Sequence, residues 1–329
     1  SFSIDIKSTN MFKKFISENI LKDLPSIYLA DYKKFKELTL KNMNYVPKVF
    51  YTSVSLVGNN EVKFFLAEYY KDIKIISHQH GGSYGMAPHS LLAERYERLV
   101  ADYFLTAGWK EDEKTIPFGL PLLCKSIKLN IGKNITYITT NSFRYLFRFH
   151  YYPISSIYVK NFFYDMNKFF NNLEKDVFNN HFVIRPYNSP ISKKMINDAV
   201  KLIDNNNILI DSHNNMANIL QESKLLIFDH FGTTMLETLY LNKPTVIYID
   251  FNIYKFRDNF SEMLEELCES NILHASSVGA AEHINNIHAN IDDWWYSPKV
   301  QATREKFVNK YAKCNENWED QLSEFFKSI

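Results

Sequence analysis

Glycine is scarce in this 329-residue chain, with 9 in all, and cysteine scarcer still, with 3. Cys124, Cys268 and Cys314 lie far apart and form no C-x-x-C pair. That pattern argues against a disulfide framework or a zinc site and suits a reducing, cytosolic compartment. Missing too is any uncharged apolar run near the roughly 18 residues that a spanning helix requires, and the N-terminus lacks the order of a signal peptide. Any membrane role is therefore expected to be peripheral. Neither sign of charge prevails: 38 Lys and Arg face 37 Asp and Glu, a net charge of +1. No global field gathers nucleic acid, none is expected as a partner, and an anion has to be held locally. There is no G-x-x-x-x-G-K-[ST], G-x-G-x-x-G or D-x-D. The signatures of P-loop, dinucleotide and metal-dependent sugar-transfer sites are thereby absent, and no metal or cofactor is expected.

What is present is apolar and aromatic, 46% and 16% of the chain, enough for two modest domains. Residues 11–43 read as one or two helices broken at Pro25. Pro47–Leu56 reads as a strand, Asn60–Tyr70 as a helix, Lys74–Ser77 as a buried strand and Arg98–Thr106 as another strand. A second unit opens with the strand Asn134–Thr140. A helix follows with Val159, Phe162, Phe163, Met166, Phe169, Phe170 and Leu173 at core spacing. Strands HFVIRPY, ILID, KLLIFD and TVIYID then alternate with helices, a pattern that requires a parallel sheet covered on both faces. The expectation is an α/β protein of two Rossmann-like, doubly wound parallel-sheet domains whose strand ends face one cleft. The divisions are residues 1–128, 129–300 and 301–329, the last a helical segment packing back across both domains.

Four segments carry chemistry. His78-Gln79-His80-Gly81-Gly82-Ser83-Tyr84-Gly85 follows a strand, and its three glycines let backbone N–H groups turn toward a ligand beside an imidazole able to act as a base. The plainer reading is a tight turn whose histidines cap local backbone. Asp229-His230-Phe231-Gly232-Thr233-Thr234 ends a strand and opens a helix, the usual seat of a phosphate. There Thr234 and Glu237 have capping-box spacing, while Glu237 can instead accept ribose hydroxyls. Arg185 leaves a strand where a guanidinium can grip a diphosphate or a carboxylate, or form a surface ion pair; Asp211, Ser212 and His213 are weaker candidates on the same edge. Phe143–Tyr152 interleaves rings with Arg144, Arg148 and His150, suited to a lipid-linked or saccharide acceptor or to packing between domains. Asp292-Asp293-Trp294-Trp295 reads as inter-domain packing.

Five blocks, taken in order, resemble a known family: Asn60–Phe64, Gln79–Gly85, Asp102–Trp109, Thr233–Thr245 and Asp293–Trp295. They are similar to bacterial surface-polysaccharide transferases, of B-type glycosyltransferase architecture and distantly like CDP-glycerol polymerases and capsule Kdo transferases. The resemblance implies a metal-independent glycosyltransferase moving a sugar from a nucleotide-activated donor, such as a CMP-linked acidic sugar, to a cell-surface glycan or lipid-linked precursor. By that analogy His80 is the base and Gln79, Gly81, Gly82 and Tyr84 form an acceptor or phosphate loop. Arg185, His230, Gly232, Thr233, Thr234 and Glu237 hold the donor. Departures are an Arg185-Pro186 pair where the polymerases carry His-Pro, and Ala107 where a tryptophan is expected. Members look longer at the N-terminus, which leaves room for an incomplete first domain or an additional N-terminal one. The resemblance also leaves room for a CDP-alditol phosphotransferase or a non-catalytic binding module of a larger synthase. It implies a cytoplasmic location, peripheral to the inner face of the inner membrane.

Overall fold

The computed structural model describes residues 7, 9–43, 45–88, 92–124, 132–140, 156–179, 181–201, 203, 208–211 and 214–329. Two parallel sheets organise the chain. The first unit runs α1 (Met11–Asp23), α2 (Tyr32–Asn42), β1 (Val49–Thr52), α3 (Ser55–Gly58), α4 (Asn60–Tyr69), β2 (Lys74–His78), α5 (Leu92–Val100), β3 (Tyr103–Thr106) and β4 (Thr115–Pro117). Its strands pair in sequence order. The second runs β5 (Asn134–Ile138), α6 (Ser156–Asn172), α7 (Lys175–Phe178), β6 (Phe182–Arg185), α8 (Pro190–Val200), β7 (Leu209–Ile210), α9 (Met216–Glu222), β8 (Ser223–Phe228), α10 (Thr233–Tyr240), β9 (Thr245–Tyr248), α11 (Ser261–Glu269), β10 (Leu273–His274), α12 (Ser277–Ile287) and α13 (Ile291–Trp295). Strand order here is β10-β9-β8-β5-β6-β7. Chain direction across the sheet thus reverses between β5 and β8, the point where a doubly wound sheet leaves a crevice beyond its carboxyl ends.

Strands with near-continuous burial, such as β8 and β9, form because residues covered on both faces need no polar alternation. Two expected strands were too long. Ser55–Gly58 is helical, where the Thr52 hydroxyl accepts the N–H of Ser55 at 3.0 Å. Arg98–Val100 closes α5 rather than opening β3, since the turn at residues 101–102 separates a charged helix from the apolar strand.

One hydrophobic cluster runs through both units, from Tyr84, Met86 and Phe104 to Phe231, Met235 and Phe260. After α14 (Pro298–Tyr311), α15 (Trp318–Ser328) lies on the first sheet: Leu322 joins Ile76, Leu105 and Phe118, and Phe325 meets Tyr103. The indoles of Trp294 and Trp295 donate to Ser270 and Asn242 of the second unit respectively, and Trp295 is itself a buried member of the shared cluster.

The cysteine expectation fails. Cys124 and Cys314 form a disulfide across a sequence separation of 190, because the return of the chain to the first sheet brings distant segments together; only Cys268 is free. The expected reducing compartment rested on unpaired cysteines and loses that premise. Among the described residues no helix is long and apolar enough to cross a membrane.

Candidate functional site

At the end of β2 three consecutive side chains take different tasks. His78 uses both ring nitrogens, with the Tyr51 hydroxyl at 2.7 Å and the Gly119 carbonyl at 2.7 Å, and burial pushes its pKa down to about 4. It is a neutral structural imidazole. Gln79 is buried, its Oε1 accepting the Ala107 N–H at 2.9 Å and the Trp109 indole at 2.8 Å, its Nε2 donating to the Gly81 carbonyl at 2.9 Å. These bonds fix the loop. His80 comes next and is one-third exposed; burial lowers its pKa, against the pull of the Ser53 carbonyl.

Behind His80 stand Tyr84 and two carboxylates of α5. The Tyr84 hydroxyl lies 3.3 Å from His80 Nδ1 and donates to Glu97 Oε2 at 3.0 Å, while Glu97 Oε1 lies 3.6 Å from His80 Nδ1. Burial, helped by Glu94, pushes Glu97 up to about 8; Tyr84 is buried as well and is raised by the same cause. Glu94 accepts the Gly85 N–H at 3.1 Å. The faces of α5 are thus reversed: Glu94 and Glu97 point inward, while Leu99 is 70% exposed.

In the second unit β8 delivers Asp229 to the crevice. Its Oδ1 accepts the Thr140 N–H at 2.8 Å and meets His230 Nδ1 at 2.8 Å, and its Oδ2 accepts the Tyr137 hydroxyl at 2.9 Å. Tyr137 continues to the Tyr248 hydroxyl at 2.6 Å. Asp229 therefore ties β5, β8 and β9 together and orients His230, whose ring lies against Gly232. Gly232 is the N-cap of α10 without a side-chain cap, and Leu236 is the first residue to bond back, to Gly232 O at 3.3 Å. The N–H groups at Thr233 to Met235 precede that first bond, as expected of a helix start. The capping box does not form. Thr234 is the second helical residue rather than the cap, so Glu237 lies beyond the third position that a box requires; Glu237 sits half-buried in the second turn.

The two loops meet. A Cβ on Gly82 would overlap the Gly232 carbonyl and the Thr233 nitrogen, and the Ser83 hydroxyl donates to Phe231 O at 2.9 Å. Arg257 clamps the same junction from the second unit, donating to Ala87 O at 2.7 Å, Glu94 at 2.7 Å and Glu111 at 2.6 Å. Two residues of chain span at most about 7 Å, so His80 is held close to the start of α10. The fold brings together His80, Gly81, Gly82, Gly232, Thr233 and Thr234. Beside Asp229 a pocket of about 200 Å³ opens between Phe162, Tyr248, Tyr254, Asp165 and Asp250.

Arg185 is not part of this junction. It ends β6, two strands from β8 and hence roughly 10 Å away, and is buried with its guanidinium donating to the carbonyls of Asp211 and Asn214, each at 3.0 Å. Phe143–Tyr152, Ser212 and His213 lie outside the described residues. No group of three or more His, Cys, Asp or Glu among the described residues is arranged to hold a metal ion. Glu97 and Arg257 were missed from sequence, and Asp229 stood in the segment Asp229–Thr234 without a role of its own. For Glu97 the only signal was its i, i+3 spacing from Glu94, which puts both on one helix face without saying that the face turns inward.

A family model described as LIC12162 family transferase matches residues 1–326. No curated protein matches the chain. Among solved structures, the wall teichoic acid polymerase TagF is 14% identical over 97% of this chain and 98% of its own, with a TM-score of 0.46. A protein from Listeria monocytogenes assigned as a UDP-N-acetylglucosamine 2-epimerase is 11% identical over 99% and 82%, with a TM-score of 0.52. The UDP-GlcNAc 2-epimerase from Neisseria meningitidis, bound to UDP-GlcNAc, is 11% identical over 92% and 82%, with a TM-score of 0.44. The likeness to the Listeria protein is one of fold.

Proposed function

We propose that this chain, which belongs to the LIC12162 family of transferases, moves a sugar from a nucleotide-activated donor to a hydroxyl of a cell-surface glycan or lipid-linked precursor. One observation carries the reading: Gly82 packs on Gly232 and Thr233, which sets an imidazole and an uncapped helix start on the two sides of one junction. His80 takes the proton of the acceptor hydroxyl as its oxygen attacks the anomeric carbon. The departing phosphate gathers charge as the bond to the sugar breaks, and the N–H groups and threonine hydroxyls at the start of α10 face that charge. The protein supplies position and a preorganised dipole, and the scheme routes no step through a metal.

His230 and Gly232 shape the phosphate seat. The pocket beside Asp229, with its rings and carboxylates, suits the aromatic base and hydroxyls of a nucleoside. Gln79, Tyr84 and Arg185 act as positioning residues. The preference for a CMP-linked acidic sugar leaned on a free Arg185, and with that guanidinium held on two backbone carbonyls the donor base is left to measurement.

Thermal shift against CMP, CDP, UDP and GDP, with and without magnesium, tests the donor half, since a ligand of the native state raises the melting temperature. One nucleotide is expected to stabilise the protein without metal, and the double variant Thr233→Val/Thr234→Val to lose that shift. His80→Ala is expected to keep the shift and to lower the transfer rate by about 10²–10⁴. Transfer at the wild-type rate in His80→Ala would sink the assignment of the base; donor hydrolysis to a nucleotide and an alditol phosphate would move the chemistry to phosphotransfer.

A further inference from the structure

A fully enclosed carboxylate stands behind His80, and one of its oxygens has nothing to bond. Glu97 Oε2 accepts the Tyr84 hydroxyl at 3.0 Å. Glu97 Oε1 is buried without a hydrogen-bond partner and faces His80 Nδ1 at 3.6 Å. Buried polar atoms are nearly always paired, and an exception calls for a state in which the pair forms. We infer that Glu97 is the counter-charge for the His80 imidazolium, held in place by Tyr84, and that its free oxygen closes on Nδ1 as His80 takes up the acceptor proton. This rests on the reading of His80 as the base.

The step balances without any further reactant. The acceptor oxygen bonds to the anomeric carbon, the electron pair of the broken bond leaves with the phosphate, and the hydroxyl proton moves to His80 Nε2. Nδ1 keeps its own proton and now carries part of a positive charge, so its contact with Oε1 tightens into a charge-assisted hydrogen bond. The interaction is stronger after proton transfer than before, which is the condition for accelerating the step rather than merely binding. Glu97 acts on the reaction only through His80 and is a positioning residue.

The arrangement works only with Glu97 ionised. A protonated carboxyl would donate to Nδ1, place the ring proton on Nε2 and leave no lone pair for the acceptor. The groups acting on Glu97 are Glu94 on the same helix and the Tyr84 hydroxyl, the first opposing its ionisation and the second favouring it; His80 faces it across the loop, and the Ser53 carbonyl acts on His80 from the end of β1. Wild-type kcat therefore rises with pH along a limb that belongs to the pair.

The test measures kcat, KM and their pH dependence in wild type, Glu97→Gln, Glu97→Asp and Tyr84→Phe. It also follows the His80 ring nitrogens by NMR between pH 5 and pH 10 without substrate. Glu97→Gln is expected to lower kcat by about 10–10², to leave both KM values within about threefold and to abolish the limb; Glu97→Asp restores part of both. Tyr84→Phe keeps the ring and removes the donor, so its limb moves to higher pH. In wild type the neutral ring shifts its proton from Nε2 to Nδ1 as pH rises through the limb, and in Glu97→Gln it does not. A Glu97→Gln rate within twofold of wild type across the range, or identical tautomers in the two proteins, overturns the inference. If wild type transfers from no donor, the reading of His80 as base fails, while the NMR comparison still decides whether Glu97 governs its tautomer. Should Glu97→Gln not fold, an unmoved limb in Tyr84→Phe counts against it equally.

Discussion

At the scale of single residues, the junction depends on an absent side chain. Gly82 needs no unusual backbone angle; what it needs is space, because the atoms that a Cβ would strike are the backbone of Gly232 and Thr233 and cannot rotate away. Gly82→Ala is therefore expected to push the two loops apart and to lower transfer at least about 10²-fold, as a displacement near 1 Å does. Gly58→Ala, where nothing lies within 4 Å, is the control and should leave activity unchanged. Equal activity in the two variants would show that the loops need not touch. The residues of this junction were legible in sequence because turning glycines and a helix start are local chemistry. Glu97 and Arg257 were not, since a charged residue in a helix or loop reads as solvated until tertiary packing encloses it. The position of Arg185 at a strand end was legible but its partners were not, because the carbonyls that hold it come from Asp211 and Asn214, 26 and 29 positions away.

At the scale of elements, the alternation of strand and helix after Asn134 was readable, since fully buried strands announce themselves as apolar runs; α5 was hidden because its faces are reversed. Its inward carboxylates make it the support for residues 84–88. The Gly85 N–H rests on Glu94, and Arg257 bonds Glu94 from the second unit at 2.7 Å. Arg257 and Glu94 are both largely buried, and without Arg257 the cation that Glu94 keeps among the described residues is Arg98, at the longer distance of 3.4 Å. Removing Arg257 therefore leaves an enclosed charge poorly compensated, at a cost of roughly 3 kcal/mol. Arg257→Ala is expected to destabilise by about that amount, and a double-mutant cycle with Glu94→Gln to give a coupling above about 1 kcal/mol. Additivity to within about 0.5 kcal/mol in chemical denaturation would mean that Arg257 holds the loop through the Ala87 carbonyl alone. Its bond to Glu111, whose side chain is 37% exposed, is expected to add little.

At the scale of the whole molecule, the described residues join the two sheets through the shared core cluster, through the loop junction, and through the C-terminal chain that crosses from α14 to α15. The disulfide pins that crossing. Cys314 sits between the two helices and Cys124 just beyond the last part of the first unit. Loop-closure entropy over a separation of 190 residues amounts to about 5 kcal/mol in the chain-entropy description. This is an upper figure, because the core cluster and the packing of Leu322 and Phe325 also hold α15 in place. Oxidised protein unfolded without reductant is expected to expose one reactive thiol, that of Cys268, and three after reduction. Reduced wild type and Cys124→Ser/Cys314→Ser are expected to melt together and below the oxidised protein, with faster amide exchange confined first to α15. If reduction leaves the melting temperature and the exchange of α15 unchanged, packing alone fixes the crossing. The disulfide would then contribute nothing to keeping the two halves of the site in register.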